Sequence, residues 1–202
     1  MSKTTLNDLH QVMELMGEAY FFERQLTPQD LTDTADILDT ADYEMPLSDE
    51  GVNFDVGDPD ITRKKITEGR NWITYAKRGD DDISFQVPSF ADKINELFLH
   101  KAASDVKVKV GSDTYTGAGY QLKPKKVVGS WIFRNPEHTI TVLLPNTENY
   151  GTLKGAKGDS EGYYNVATTP LANSGNVDIY ILHKDTDAPA AEDAEDADTA
   201  AE

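Results

Sequence analysis

Cysteine is absent from this 202-residue chain, and no hydrophobic run approaches the 18 or so residues that a transmembrane helix needs. Without thiols there is no disulfide framework, no zinc-thiolate or iron–sulfur site, and no cysteine nucleophile. The segment Met1–His10 also lacks the basic start and the apolar run of a classical signal peptide. We therefore expect a non-exported chain of the soluble class, with enough hydrophobic residues for one core and some appendages.

Basic residues are few and unevenly placed. The chain has 19 Lys and Arg against 36 Asp and Glu, which gives a net charge of −17. Residues 1–60 carry −13 and residues 185–202 carry −8, whereas residues 61–184 carry +4. An acidic chain repels phosphate backbones, which argues against tightly bound nucleic acid. The acidic flanks and the basic middle of the chain favour association between copies of the chain instead.

The two acidic flanks predict two appendages. Apolar residues recur every three or four positions from Leu6 to Tyr20, after a capping-box pattern at Thr5, and a second helix start lies at Thr27 and Pro28. The tail has no large apolar residue, so it cannot repay the entropy of ordering. We predict an acidic helical extension over residues 1–45, a β-rich body over 46–184 and a disordered acidic tail over 185–202.

The body alternates aromatic or β-branched runs with turn residues, as strands do. A helix is predicted from Ser89 to about Lys101, and a long exposed loop over residues 145–162. The predicted strands are three hairpins, 72–77 with 83–87, 106–110 with 115–122 and 126–134 with 139–144, and single strands at 52–56, 163–168 and 177–183. The fold class is mainly β (α+β): two packed antiparallel sheets, as a sandwich or barrel, with one flanking helix and the N-terminal helical segment.

Motifs that carry chemistry are not found. The four histidines, His10, His100, His138 and His183, have no ligand-like spacing. The acidic runs Asp55–Asp60 and Asp80–Asp82 lack the register of a calcium loop, and the glycines match no nucleotide fingerprint. We therefore expect no catalytic residue, no metal and no cofactor. An assembly protein and a binding module are the classes that remain, ahead of an enzyme.

One stretch of the body resembles a known family. Three segments carry the resemblance: GVNFDVGDPDITRKKITEGRNWITY at Gly51–Tyr75, DISFQVPSF at Asp82–Phe90, and the helix to Lys101. In this order they resemble the tail tube proteins of tailed bacteriophages. The resemblance covers roughly residues 50–183 and is one of element order. It implies a β-sandwich with a flanking helix and a long loop between early strands, stacked as hexameric rings around a DNA channel. The two helices predicted before residue 40 depart from that pattern.

The resemblance also implies partners and an interface. Copies would associate with one another and with other tail proteins, and DNA would pass along an acidic wall without specific binding. The protein would be assembled in the host cytoplasm and lie in the virion, with no membrane partner. The segment between Asp58 and Gly69 would bridge neighbouring subunits or rings, and its candidate interface residues are Asp58, Asp60, Arg63, Lys64 and Lys65.

A β-sandwich binding module is the alternative. It would be a virion-surface or cell-surface domain that binds carbohydrate or protein through Trp72, Trp131 and the tyrosine-rich residues Gly151–Tyr164. Such a module would stay monomeric, whereas a tube subunit would form rings.

Overall fold

The chain folds as a mainly β, sandwich-like structure with one flanking α-helix among the described residues, as the sequence predicts. A computed structural model describes residues 17–33, 36–55, 57–65, 71–77, 82–155, 162–173 and 175–184. The helix is α1 (Asp92–Phe98), and a short 3₁₀ helix spans Ile37–Thr40. The strands are β1 (Glu18–Phe22), β2 (Tyr43–Met45), β3 (Val52–Asp55), β4 (Asp60–Lys65), β5 (Asn71–Lys77), β6 (Asp82–Val87), β7 (His100–Val110), β8 (Asp113–Gln121), β9 (Lys126–Arg134), β10 (Ile140–Lys154), β11 (Tyr163–Pro170) and β12 (Tyr180–His183).

Eight of these strands form one antiparallel sheet, the body sheet, in the order β2-β1-β9-β10-β11-β6-β3, with β12 also paired to β10. The long strand β10 pairs with β9 through Thr141–Tyr150, with β12 through Ile140–Leu143 and with β11 through Thr147–Lys154. Its register on β9 shifts between Leu144 and Thr147, where Pro145 cannot donate a ladder hydrogen bond. The strand thus changes partners at a bulge and joins two halves of the body sheet.

Aromatic rings fill the interior of the body sheet. Trp131 is fully buried, stacks on Phe133 with 5.6 Å between centroids and meets Phe85 edge-on at 4.8 Å. Helix α1 adds Ile94, Leu97 and Phe98 to this core because its apolar residues recur at helical spacing. A second, smaller core lies on the outer face of β1, β9 and β10, where Leu26, Leu31, Ile37 and Leu38 cover Phe22, Ile132 and Leu143.

A polar network is buried beside the bulge of β10. Asn149 accepts from the Trp131 indole N–H and from the Thr168 hydroxyl, both at 2.8 Å, and donates to Thr147 Oγ1 at 2.9 Å. The Ser130 hydroxyl accepts from the Leu26 N–H at 3.0 Å and lies 2.7 Å from the Pro145 carbonyl oxygen. The Ser130 hydroxyl thus pairs with the Pro145 carbonyl at the register shift, and the bonds of Asn149 pair the polar side chains buried beside it.

The N-terminal region differs from the helical extension that the sequence predicts. Residues 18–22 and 43–45 are strands of the body sheet, and residues 1–16 lie outside the described part of the chain. The second helix start does form its cap, since Thr27 N–H donates to Asp30 Oδ2 at 2.7 Å and Asp30 N–H to Thr27 Oγ1 at 3.3 Å. Residues 28–32 form turns and no helix, because the Thr and Asp residues that follow the cap are poor helix formers.

Two expectations for the body are wrong. Strands β5 and β6 both exist but do not form a hairpin: β5 pairs with β4, and β6 pairs with β3 and β11. The loop expected from residue 145 is largely strand, since β10 continues to Lys154. A proline at a bulge breaks the register without ending the strand, and the sequence pattern does not separate these cases. The predicted hairpins β7–β8 and β9–β10 are confirmed. The tail, 185–202, lies outside the described residues.

Candidate assembly surfaces

The hairpin β7–β8 is a two-stranded sheet outside the body sheet. Strand β7 has 11 residues, all exposed, and is about 35 Å long. One residue separates β7 from α1. The end of the hairpin nearest α1 contacts the rest of the chain through the Lys101–Glu96 ion pair of 2.6 Å and through Tyr120, which packs against the core. At its tip Gly111 adopts φ 64°, the left-handed conformation that a tight turn requires.

The outer part of this hairpin has two chemically different faces. Val108 lies opposite Tyr115, and Val106 opposite Gly117, so that these residues share one face. Lys107 lies opposite Thr116 and Lys109 opposite Thr114, so they share the other face. Val108 is 50% exposed, Val110 60% and Tyr115 58%. An isolated two-stranded hairpin is marginally stable in water, and this one leaves its apolar face in solvent.

The hairpin β4–β5 is the second two-stranded sheet, inserted between β3 and β6. Its strands contain four basic residues and one acid, which makes it the most basic element of the described chain. Lys64 Nζ lies 5.8 Å from the centroid of the Tyr75 ring, a cation–π distance. Ile61 and Tyr75 are about half exposed.

All five residues that the sequence offers as interface candidates lie on or next to this hairpin. Asp58 precedes β4 in an exposed loop, and Asp60, Arg63 and Lys64 are exposed on β4. Lys65 ends the strand and is described by its backbone alone. The structure therefore brings them together on one protruding, exposed element.

A groove lies between the segment 30–38 and residues of β9, β10 and β12, and we call it the β12 groove. It has a volume of about 360 Å³. Leu182 of β12, Ile132 and Leu143 form its apolar floor, and the segment from Asp30 to Leu38 forms its wall. Three acids, Asp30, Asp33 and Asp36, line it together with Arg134, which is paired with Glu18 at 3.2 Å.

The acids of the β12 groove are held in place by their own turn. Hydrogen bonds from the Thr27 hydroxyl and the Thr27 N–H, and the Arg24 guanidinium at 2.9 Å, lower the pKa of Asp30 below its usual value. Asp36 caps the 3₁₀ helix by accepting from the Leu38 N–H at 3.0 Å. These hydrogen bonds hold the carboxyl groups of Asp30 and Asp36 in fixed positions on the rim of the groove.

The apolar face of β7–β8 and the β12 groove are surfaces that sequence reasoning missed. The alternation of Val106, Val108 and Val110 with lysines was visible, but an alternating strand is usually covered on its apolar side by its own chain. One sequence signal could have indicated that this hairpin is exposed. The residues around it are mostly polar, and its lysine face carries no large apolar residue. The groove depends on contacts between residues about 150 positions apart, for which the sequence carries no local sign.

Other candidate residues take ordinary places. His100, His138 and His183 are exposed, and the described residues contain no group of three or more Asp, Glu, His or Cys side chains placed to hold a metal ion. Trp131 and Tyr164, two aromatics of the binding-module alternative, are fully buried and cannot offer a ring to a ligand. The side chain of Trp72 lies outside the described part. No described helix is long and apolar enough to cross a membrane.

Comparison with protein-family models, with curated proteins and with solved structures gave no significant match to this chain.

Proposed function

We propose that this protein is a structural subunit that self-associates into rings or tubes, as the resemblance to bacteriophage tail tube proteins implies. The apolar face of β7–β8 carries the proposal. The body sheet covers its own aromatic core, whereas Val106, Val108 and Tyr115 lie on a hairpin that no other described element covers. Burying such a face against another copy removes apolar area from water and gives the hairpin the additional layer that it lacks.

The role follows from physical contacts and needs no covalent chemistry. Copies that share hairpins and sheet edges close a wall and remove the exposed edges that a free β domain has to protect. Subunits of net charge −17 repel DNA, so a channel formed by them lets DNA pass without binding it. The virion location, the other tail proteins and the six-fold ring of the resemblance belong to the same proposal.

The test measures molar mass by light scattering on a sizing column, at several protein concentrations and two salt levels, with negative-stain images of the same fractions. The wild type is expected to form rings or tubes with a central hole. A wild type that stays monomeric at every concentration contradicts the proposal and favours the binding module.

A matched pair of variants tests the face itself. Val108→Asp places a carboxylate on the apolar face and is expected to raise the concentration for half-assembly by roughly tenfold or more. Thr114→Asp adds the same charge to the opposite face of the same hairpin and is expected to assemble like the wild type. Because both side chains are exposed, both variants should unfold at the same urea concentration as the wild type. If Val108→Asp assembles normally, the apolar face is not the contact.

A further inference from the structure

We propose that the β12 groove receives the β4–β5 hairpin of a second copy of this chain. The inference rests on the proposed self-assembly and names the two surfaces that make one of its contacts. The groove and the hairpin lie on different parts of the molecule, so the contact joins copies head to tail.

The groove offers an apolar floor inside an acidic rim. Leu182 is 45% exposed on this floor, and Asp30 and Asp36 stand on the opposite wall. An apolar floor with fixed carboxylates around it suits a partner that has an apolar side chain flanked by cations.

The strand that contributes Leu182 to the groove also has an open edge in the described structure. Strand β12 pairs with β10 on one side, and no strand of the described chain pairs with its other side. The backbone N–H and C=O groups of that edge can accept an added strand, the usual way in which an extended segment docks on a sheet.

The β4–β5 hairpin has the complementary features. Each of its strands has one unpaired edge in the described structure, so either can add to β12. Ile61 is exposed on the same strand as Arg63 and Lys64. The strands of β4–β5 have four bases against one acid, whereas residues 100–121 of the other hairpin have three lysines against two aspartates. The charge of the groove therefore selects β4–β5.

A head-to-tail contact has a definite consequence for assembly. A growing row of copies keeps one free hairpin at one end and one free groove at the other, so the contact closes into a ring or continues as a filament. Isologous pairing would stop at a dimer.

Two variants test the contact from its two sides. Leu182→Arg places a cation on the groove floor, and Arg63→Glu with Lys64→Glu reverses the charge of the hairpin. Each is expected to raise the concentration for half-assembly by roughly tenfold or more. The controls are Leu171→Arg, the same change at an exposed leucine outside the groove, and Lys107→Glu with Lys109→Glu on the other hairpin. Both controls are expected to assemble at the wild-type concentration.

A mixing experiment then tests the head-to-tail geometry. The groove variant and the hairpin variant are each combined with Val108→Asp, so that the β7–β8 contact is absent. Each protein alone is expected to be monomeric, because one of its two remaining surfaces is broken. Mixed at equal concentration, they are expected to form a 1:1 complex and nothing larger, since one contributes an intact hairpin and the other an intact groove. Sedimentation velocity measures the species.

The outcomes separate the two proposals. An assembling wild type whose groove and hairpin variants assemble equally well overturns the inference alone, as does a mixture that stays monomeric. A wild type that is monomeric at every concentration overturns the inference together with the proposed function.

Discussion

The hairpins β7–β8 and β9–β10 have similar sequence patterns and opposite environments. Both contain runs of β-branched or aromatic residues, and both are connected by short turns. In β9–β10 the apolar side chains are covered by β1, β6 and α1, elements that come from distant parts of the chain. In β7–β8 no described element lies over the valines. The local pattern therefore predicts the strands, and the topology decides whether the same chain covers their apolar side chains.

The largest expected difference between the hairpins is in the free energy of unfolding after truncation of an aromatic ring. Trp131→Ala removes a fully buried side chain and leaves Asn149 without its indole donor, which should cost about 3–5 kcal/mol. Tyr115→Ala removes an exposed ring and should change stability by less than about 0.5 kcal/mol. Urea titration under monomeric conditions measures both. A comparable loss in Tyr115→Ala would mean that β7–β8 packs on its own body.

A smaller difference is expected when a methyl group is added to a glycine of each hairpin. A Cβ at Gly129 of β9 would collide with the Phe22 carbonyl oxygen and the Phe21 ring, so Gly129→Ala should cost about 1–3 kcal/mol.

At Gly117 of β8 a Cβ meets nothing within 4 Å, and Gly117→Ala should stabilise the monomer by up to about 1 kcal/mol. Thermal unfolding of the two variants at one protein concentration makes the comparison. Equal destabilisation by both would contradict the open surroundings of β8.

A pH-dependent effect concerns a tyrosine of the body sheet at high pH. Burial of Tyr43, together with its hydrogen bond to the Glu23 carboxylate, raises the pKa of Tyr43 to about 12. The unfolded chain loses this proton near pH 10, so the contribution of Tyr43 to stability is complete below pH 10 and declines as the pH rises towards 12.

The measurement is the urea midpoint between pH 9 and 12 for the wild type and Tyr43→Phe. The wild type should lose stability more steeply than the variant across that interval. Parallel curves would show that the Tyr43 hydroxyl has the same proton affinity in the folded and unfolded chain.

Much of the fold was predictable because its signals are local. The turn Asn135–His138 between two strongly β runs identified β9–β10, and Gly111 with Ser112 identified β7–β8. The partners of β5 and β6 were not predictable, since pairing between strands far apart depends on the whole topology. The capping pattern at Thr27 was correct, but the stability of a helix depends on residues beyond its cap.

The candidate interface was predictable in part. The basic residues Arg63 and Lys64 stood out against an acidic chain, and the structure places them on an exposed hairpin. The β12 groove could not be found in the same way, because Leu182 and Ile37 come close only after β1, β9, β10 and β12 have paired.

The pairing of β1 with β9 has a consequence for the order of folding. Glu18 lies opposite Arg134, so the first strand of the body sheet cannot find its place until most of the chain has been synthesised. The hairpins β4–β5 and β7–β8 close locally, on the microsecond scale of about 1–10 μs, long before such non-local pairing is complete. Newly made chains thus expose the apolar face of β7–β8 before the body sheet is complete. Exposed apolar surface on an incompletely folded chain promotes aggregation. The net charge of −17 opposes such association, because copies of the chain repel one another.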